Sequence, residues 1–277
     1  MNKKKTKALN NEKYKLKNVI YDDKCLEMPF FEDLINDLSE KGIKARKAGT
    51  SVNALESLYI CAEPESIKAA KDKDIAFVCC KTQDRDAECI IEGFDEVDTD
   101  FIIKMYQRKH AQPWLICETD RLIIREFSMT DGLDIFPEKS DHPDYNELYI
   151  KNIYGFFGYG IWAVIYKESG EIIGRAGLMN SERLDGIELG YEIFEGFRGR
   201  GFAVEACKGI IGAAAKRYGI EKLYAMSDIH NAASIRVLER LGFRKYAGEQ
   251  TGYEEVVNEP GIAKYMLNIV DNSILRV

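Results

Sequence analysis

Three groups of residues in the second half of this 277-residue chain have the types and spacing to do chemistry. The first is the run Arg198-Gly199-Arg200-Gly201-Phe202-Ala203, which follows an alternating segment and precedes a helix-like one over residues 204–218. A strand, a glycine-bearing loop and a helix in that order leave unpaired backbone N–H groups at the helix start, aimed at an anion. Glycine lets the backbone approach a ligand that a Cβ would hold away. A single helix-end charge contact contributes only about 0.3–1 kcal/mol when exposed, so several amides and an arginine must act together, as a pyrophosphate cradle requires. The loop lacks the Gly-Lys-Ser/Thr ending of a nucleoside-triphosphate site, and its strand is not the first of a dinucleotide fold. Taken alone, the run also fits a plain surface turn.

The second group is a pair of carboxylates. Residues 186–194 alternate strictly, which places Ile187, Leu189, Tyr191 and Ile193 on one face of a strand and Glu188 and Glu192 on the other. Either glutamate could accept a proton from a reacting group, and either could be a solvated or salt-bridged strand residue. The third group is Asn231 and Ser234, at the head of a helix that Asn231 can cap. Cys207 is weighed as a nucleophile, but it falls among Ala206, Ile210 and Ile211, the setting of a buried core thiol. His230 could titrate near neutrality, yet a lone histidine reads as structural.

These residues need a scaffold, and the surrounding pattern supplies one. Residues 121–126 read as a strand, and residues 129–136 as a short helix capped by Ser128 or Thr130. Residues 161–166 and 171–178 form a hairpin through Glu168-Ser169-Gly170, and residues 222–227 form a later strand. The segment from His142 to Gly160 carries Tyr145, Tyr149, Tyr154, Phe156, Phe157 and Tyr159, which could wall an amine site through cation–π contacts or form a satellite core or dimer surface.

The first part of the chain repeats another pattern. Strands are expected at 18–21, 58–61, 75–80 and 89–91, and helices at 30–41, 64–71 and 99–109, with Gly42 stopping the first helix. Apolar strands separated by helices imply a parallel sheet covered on both faces. Gln112-Pro113-Trp114 interrupts the last helix, so the division is a basic tail over 1–16, a smaller parallel α/β domain over 17–115 and a second domain over 116–277.

Composition narrows the function classes. A formal net charge of −7 argues against nonspecific nucleic-acid binding. No window approaches the roughly 18 consecutive apolar residues of a membrane span. Met1-Asn2-Lys3-Lys4-Lys5 lacks the apolar stretch of a signal peptide, because Asn10, Asn11, Glu12 and Lys13 stand where it should be. Seven irregularly spaced cysteines fit reduced thiols better than a disulfide framework, and no Cys-x-x-Cys pair points to a metal. A cytoplasmic protein without a metal site is expected.

Arg198-x-x-Gly201-x-Ala203 resembles the acyl-CoA motif of the GNAT N-acyltransferases. The segment from Asn231 through Ser234, Arg236 and Leu241 to Gly242-Phe243 is similar to the second block of that superfamily, above all in its ribosomal-protein N-acetyltransferase branch. The resemblance covers residues 117–277 and implies an α/β (α+β) fold with a mixed, splayed central sheet. Acyl-CoA would wedge between the strand ending near Phe194 and the strand 222–227. It also implies that Ile193, Phe194, Arg198, Gly199, Arg200, Gly201, Phe202, Ala203, Asn231 and Ser234 hold the donor acetyl-CoA.

An amine attacks a thioester only when unprotonated, and a lysine-like amine with a pKa of about 10.4 is almost wholly protonated at neutral pH. The resemblance therefore assigns a general base, preferably Glu188, with Glu192 as competitor. A backbone N–H near Phe194 or Ile193 would stabilise the thioester oxygen. Relatives use a tyrosine as acid where this chain has Leu238, which leaves Ser234 as the nearest hydroxyl. The implied activity is acetyl transfer from acetyl-CoA to a primary amine, on a small molecule or a protein N-terminus, with a homodimer left open. The alternative is a noncatalytic acyl-CoA sensor. The 17–115 domain weakly resembles a haloacid-dehalogenase-like fold, but Asp22-Asp23 lacks the second aspartate at the required spacing, so a noncatalytic role is expected there.

Overall fold

In the computed structural model the described residues are 15–81, 89–137, 144–154, 158–181, 183–184, 186–246 and 260–269. The basic tail up to residue 14, together with Phe156 and Phe157, lies outside them. The chain divides into two compact units between Trp114 and Leu115.

The first unit is built on a five-stranded sheet of β1 (Asn18–Tyr21), β2 (Lys44–Lys47), β3 (Ser57–Cys61), β4 (Ala76–Cys80) and β5 (Ile90–Ile91), in the order β2-β1-β3-β4-β5. Every recorded pairing is parallel. Alternate side chains feed two cores, as period-2 geometry demands. Val19, Leu58, Ile60 and Val78 pack with Phe31, Leu34 and Leu38 of α1 (Phe31–Glu40) and with Ile102 and Tyr106 of α3 (Thr99–Lys109). Ile20, Tyr59, Cys61 and Cys79 pack with Ile67 and Ala70 of α2 (Pro64–Asp72). The sheet is thus covered on both faces, as expected. Strand β2, Lys-Ala-Arg-Lys, is an addition: it has no apolar pattern, and it exists as an edge strand because β1 offers it a parallel partner.

The second unit carries eight strands in the order β12-β13-β11-β10-β9-β8-β7-β6. They are β6 (Leu115–Glu118), β7 (Leu122–Arg125), β8 (Ile161–Tyr166), β9 (Glu171–Ser181), β10 (Gly186–Ile193), β11 (Lys222–Asp228), β12 (Arg244–Lys245) and β13 (Ile262–Asn268). Its helices are α4 (Tyr145–Leu148), α5 (Phe202–Tyr218) and α6 (Ala232–Arg240). The sheet is mixed: β10 runs antiparallel to β9 over eight register pairs, from Gly186↔Ser181 to Ile193↔Gly174, but meets β11 in parallel at the single pair Glu188↔Tyr224. Past that pair the two strands part company.

The helix expected over 129–136 is a correction. Only one 3-10 turn forms, Met129–Asp131, closed by a Ser128/Asp131 capping box. Asp131 is held by Arg125 through bonds of 2.7 and 2.8 Å, and Gly132, at φ 65°, ends the turn before an α-helix can propagate. One core serves the unit, with Trp162, Val164, Ala176, Leu178 and Leu189 of the sheet against Phe202, Ala206, Ile210 and Ala214 of α5. No helix among the described residues is long and apolar enough to cross a membrane.

Candidate active site

The parting of β10 from β11 exposes backbone. Phe194 donates its N–H to the Ile173 carbonyl at 2.8 Å, which directs it toward β9. Neighbouring residues of a strand point their N–H and C=O to opposite sides, so those of Ile193 face the gap left by β11. The Ile193 carbonyl is taken there by Arg198 Nε at 2.8 Å. Of the two backbone donors named from sequence, Phe194 is therefore engaged within the sheet, and the Ile193 N–H is the one that faces the gap.

Downstream of β10 a 3-10 turn, Glu195–Phe197, leads into the glycine loop. Gly199 and Gly201 have φ of 75° and 81°, the left-handed region that glycine enters without strain. Gly201 serves as the N-cap of α5 without any side-chain cap, so the first amides of that helix are left for another partner. Two features brace the loop. Glu205 accepts from the Thr119 hydroxyl at 2.6 Å, from the Arg121 backbone at 2.9 Å and from Arg121 Nε at 2.7 Å. Arg121 in turn donates to the Arg200 carbonyl at 3.1 Å and lies over the Phe202 ring at 4.5 Å. Burial opposes ionisation of Glu205, yet the bonds from Thr119 and Arg121 outweigh it and hold the carboxyl below its usual range. Sequence reading missed Arg121 and Glu205, because 84 residues separate them and neither lies in a motif.

A cavity of about 460 Å³ runs from this loop to the open edge of β10. Of the residues expected to hold the donor, Ile193, Arg198, Gly199, Gly201, Phe202, Ala203, Asn231 and Ser234 line it, joined by Arg236 and Arg240 of α6. Phe194 and Arg200 are not among its lining residues. Arg200 stacks instead on a cluster of rings, 4.9 Å from Phe202, 5.3 Å from Tyr166 and 5.8 Å from Phe197. Asn231 does cap α6, accepting from the Ser234 amide at 3.0 Å, while also lining the cavity.

A second cavity, of about 370 Å³, is lined by Phe136, Ile161, Arg175, Met179, Gly190, Tyr191 and Glu192. Tyr191 and Glu192 line both cavities, so both cavities abut the end of β10. Glu192 faces Arg175 directly across the β9–β10 ladder and accepts from its Nε at 2.9 Å. Glu188, further back on the strand, lines neither cavity; it accepts from the Ser181 hydroxyl at 3.1 Å, and burial raises its carboxyl above the usual range.

Two of the described tyrosines of the aromatic segment pack in the core. Tyr149 and Tyr154 are buried, and their hydroxyls bind the Ile161 N–H and carbonyl respectively. They brace β8, and Phe136, which packs against Tyr149, lines the second cavity. Cys207 is fully buried, and burial pushes its thiol up, which removes it from nucleophilic chemistry. His230 is exposed. No group of three or more His, Cys, Asp or Glu side chains among the described residues is placed to hold a metal ion.

In the first unit, Asp22 at the end of β1 is buried, and its carboxylate accepts four hydrogen bonds. They come from the Ala62 amide at 2.6 Å, the Glu63 amide at 3.1 Å, the Ser66 hydroxyl at 2.6 Å and the Tyr59 hydroxyl at 3.0 Å. The carboxylate ties β1 to the start of α2.

Residues 121–244 match the family described as "Acetyltransferase (GNAT) domain". The uncharacterized N-acetyltransferase YjdG of Bacillus subtilis (strain 168) is 31% identical over 102 residues, which cover 36% of this chain and 60% of that protein. The uncharacterized N-acetyltransferase p20 of Bacillus licheniformis is 31% identical over 85 residues, 30% of this chain and 48% of that protein. The chain thus spans only about half the length of these curated relatives. Among solved structures, an acetyltransferase from Agrobacterium tumefaciens strain C58 is 23% identical and covers 55% of this chain and 93% of its own, with a TM-score of 0.44. The match to the acetyltransferase (GNAT) family model thus falls within the second unit, over residues 121–244.

Proposed function

We propose that this domain transfers an acetyl group from acetyl-CoA to a primary amine by direct attack, on a small molecule or a protein N-terminus. The observation that carries the reading is a pair of cavities that share Tyr191 and Glu192 in their linings. One leads back to a helix N-terminus and loop suited to a pyrophosphate; the other opens past Arg175 and Phe136. A donor chamber alone would serve a sensor, whereas a second chamber against the end of the same strand suits the encounter of two substrates.

In this reading the Arg198–Ala203 loop and the α5 amides hold the pyrophosphate, and the pantetheine arm lies along β10 in the place that β11 vacates. The Ile193 N–H donates to the thioester oxygen as negative charge develops there. Glu188 takes the proton from the acceptor ammonium through water; its raised carboxyl is the better base, because a carboxylate paired with Arg175, as Glu192 is, has its charge already answered. Glu192 and Arg175 shape the acceptor side. The amine nitrogen then attacks the thioester carbon, the C–S bond breaks with its electron pair on sulfur, the nitrogen gives its second proton to solvent and the thiolate takes one up, and the amide and CoA separate. The first unit is read as noncatalytic, since its Asp22 carboxylate is buried and committed to four hydrogen bonds that tie β1 to the start of α2.

The test is CoA release from acetyl-CoA in the presence of a panel of amines, peptides with free N-termini among them, with each product identified by mass spectrometry. Amine-dependent CoA release with one acetyl group gained by the acceptor is the expected result. Tight CoA binding without release across the whole panel would replace this reading with that of a sensor.

A further inference from the structure

Leu238, at the place where the family resemblance implies an acidic tyrosine, is fully buried in the core. A phenol nonetheless reaches the donor cavity from the other side. Tyr191 crosses from β10 to α6, where its hydroxyl lies 3.0 Å from Ser234 Oγ and 3.1 Å from the Ser234 carbonyl, and both residues line the cavity. Tyrosine has one hydrogen to donate and serine has one. If the phenol donates to the carbonyl, the serine hydrogen turns back toward the phenol oxygen. If the phenol donates to Oγ, the serine hydrogen is released toward the cavity. Burial pushes the Tyr191 phenol up to about 12, so it keeps its hydrogen throughout the neutral range.

Resting on the transfer reaction proposed above, we propose that Tyr191 is a positioning residue for the leaving group: its O–H holds Ser234 Oγ as an acceptor and so aims the serine hydrogen at the sulfur of the departing CoA. As the C–S bond breaks, the electron pair stays on sulfur, and the serine O–H stabilises the thiolate by a charge-assisted hydrogen bond. No net proton leaves either side chain. The nitrogen loses two protons, one through water to Glu188 before attack and one to solvent as the amide forms, and the thiolate regains one from solvent once CoA departs, so the exchange balances.

A purely structural role, tying α6 to β10, is the competing account, and the two differ in what they do to kinetics. We would measure kcat, the KM for acetyl-CoA and the Kd for CoA in Tyr191→Phe, Ser234→Ala and the double variant. The expected result is a fall in kcat of about 10-fold for Tyr191→Phe and about 100-fold for Ser234→Ala. The double variant should be no slower than Ser234→Ala, because Tyr191 acts only through the serine, and in Tyr191→Phe the KM for acetyl-CoA should change far less than kcat. The inference is overturned if Tyr191→Phe leaves kcat untouched, if the two losses multiply, or if the KM for acetyl-CoA in Tyr191→Phe rises as much as kcat falls. A wild-type chain with no transfer to any amine overturns the transfer reading together with this one; an active wild type with an unaffected Tyr191→Phe overturns this one alone.

Discussion

Replacing Glu188 by glutamine should separate activity from stability. The carboxyl sits on the partly buried face of β10 with the Ser181 hydroxyl 3.1 Å away, and burial raises its pKa. A raised folded-state pKa means that the folded chain binds this proton more tightly than the unfolded chain. Ionising Glu188 therefore subtracts stability as pH rises above the ordinary carboxylate value, and the full penalty is present at neutral pH. Glutamine keeps an oxygen to accept from Ser181 and removes the charge, so the variant should melt at the same temperature as the parent or above it at pH 7. Its catalysis should fall, because a general base contributes about 10²–10⁴-fold, or roughly 3–5 kcal/mol of barrier. The pH dependence has a sign as well: in the parent, kcat/KM should rise with pH through a value above the usual carboxylate range, and in the variant that limb should vanish. The assay is steady-state CoA release from pH 5 to 9, with thermal melts at pH 5 and pH 7. Full activity with the acidic limb intact in Glu188→Gln would refute the assignment, and a marked drop in melting temperature at pH 7 would refute the burial argument beneath it.

Two further outcomes follow from the loop and its brace. Gly201→Ala puts a Cβ on a residue at φ 81°, with the nearest atom, Arg121 Nη2, at 3.6 Å; room exists, so the effect is backbone strain of about 1–2 kcal/mol. It should appear as a raised KM for acetyl-CoA with kcat little changed, and an unchanged KM would remove this loop from donor binding. Glu205→Ala frees Arg121 and should weaken CoA binding measured by calorimetry while lowering the melting temperature at pH 7. Because the folded-state pKa of Glu205 is depressed, its contribution is present above the unfolded value and is lost as pH falls through the folded one, so parent and variant melts should converge in acid.

Much of the strand and helix order of both units was legible in the sequence because it rests on local rules, although β6, β12 and β13 were not among the expected strands. Alternation along β10 placed its glutamates together, Asn231 named the cap of α6, and paired glycines named the loop before α5. Strand β2 escaped notice because a solvent-facing edge needs no apolar signature, and the helix expected over 129–136 failed because Gly132 and the Arg125–Asp131 pair stop it after one turn.

Within the site the division is equally physical. The sequence alone marked the loop suited to an anion, since glycine freedom and helix-end amides are properties of consecutive residues. Only the tertiary structure decided which groups face the gap and the cavities. Register with Gly174 turned the Ile193 N–H, and not that of Phe194, toward the gap; the cross-strand partner Arg175 set Glu192 apart from Glu188; and Tyr191 met Ser234 across 43 residues of chain. Such pairings depend on where β11 leaves β10, a property of the folded sheet that no run of neighbouring residues encodes.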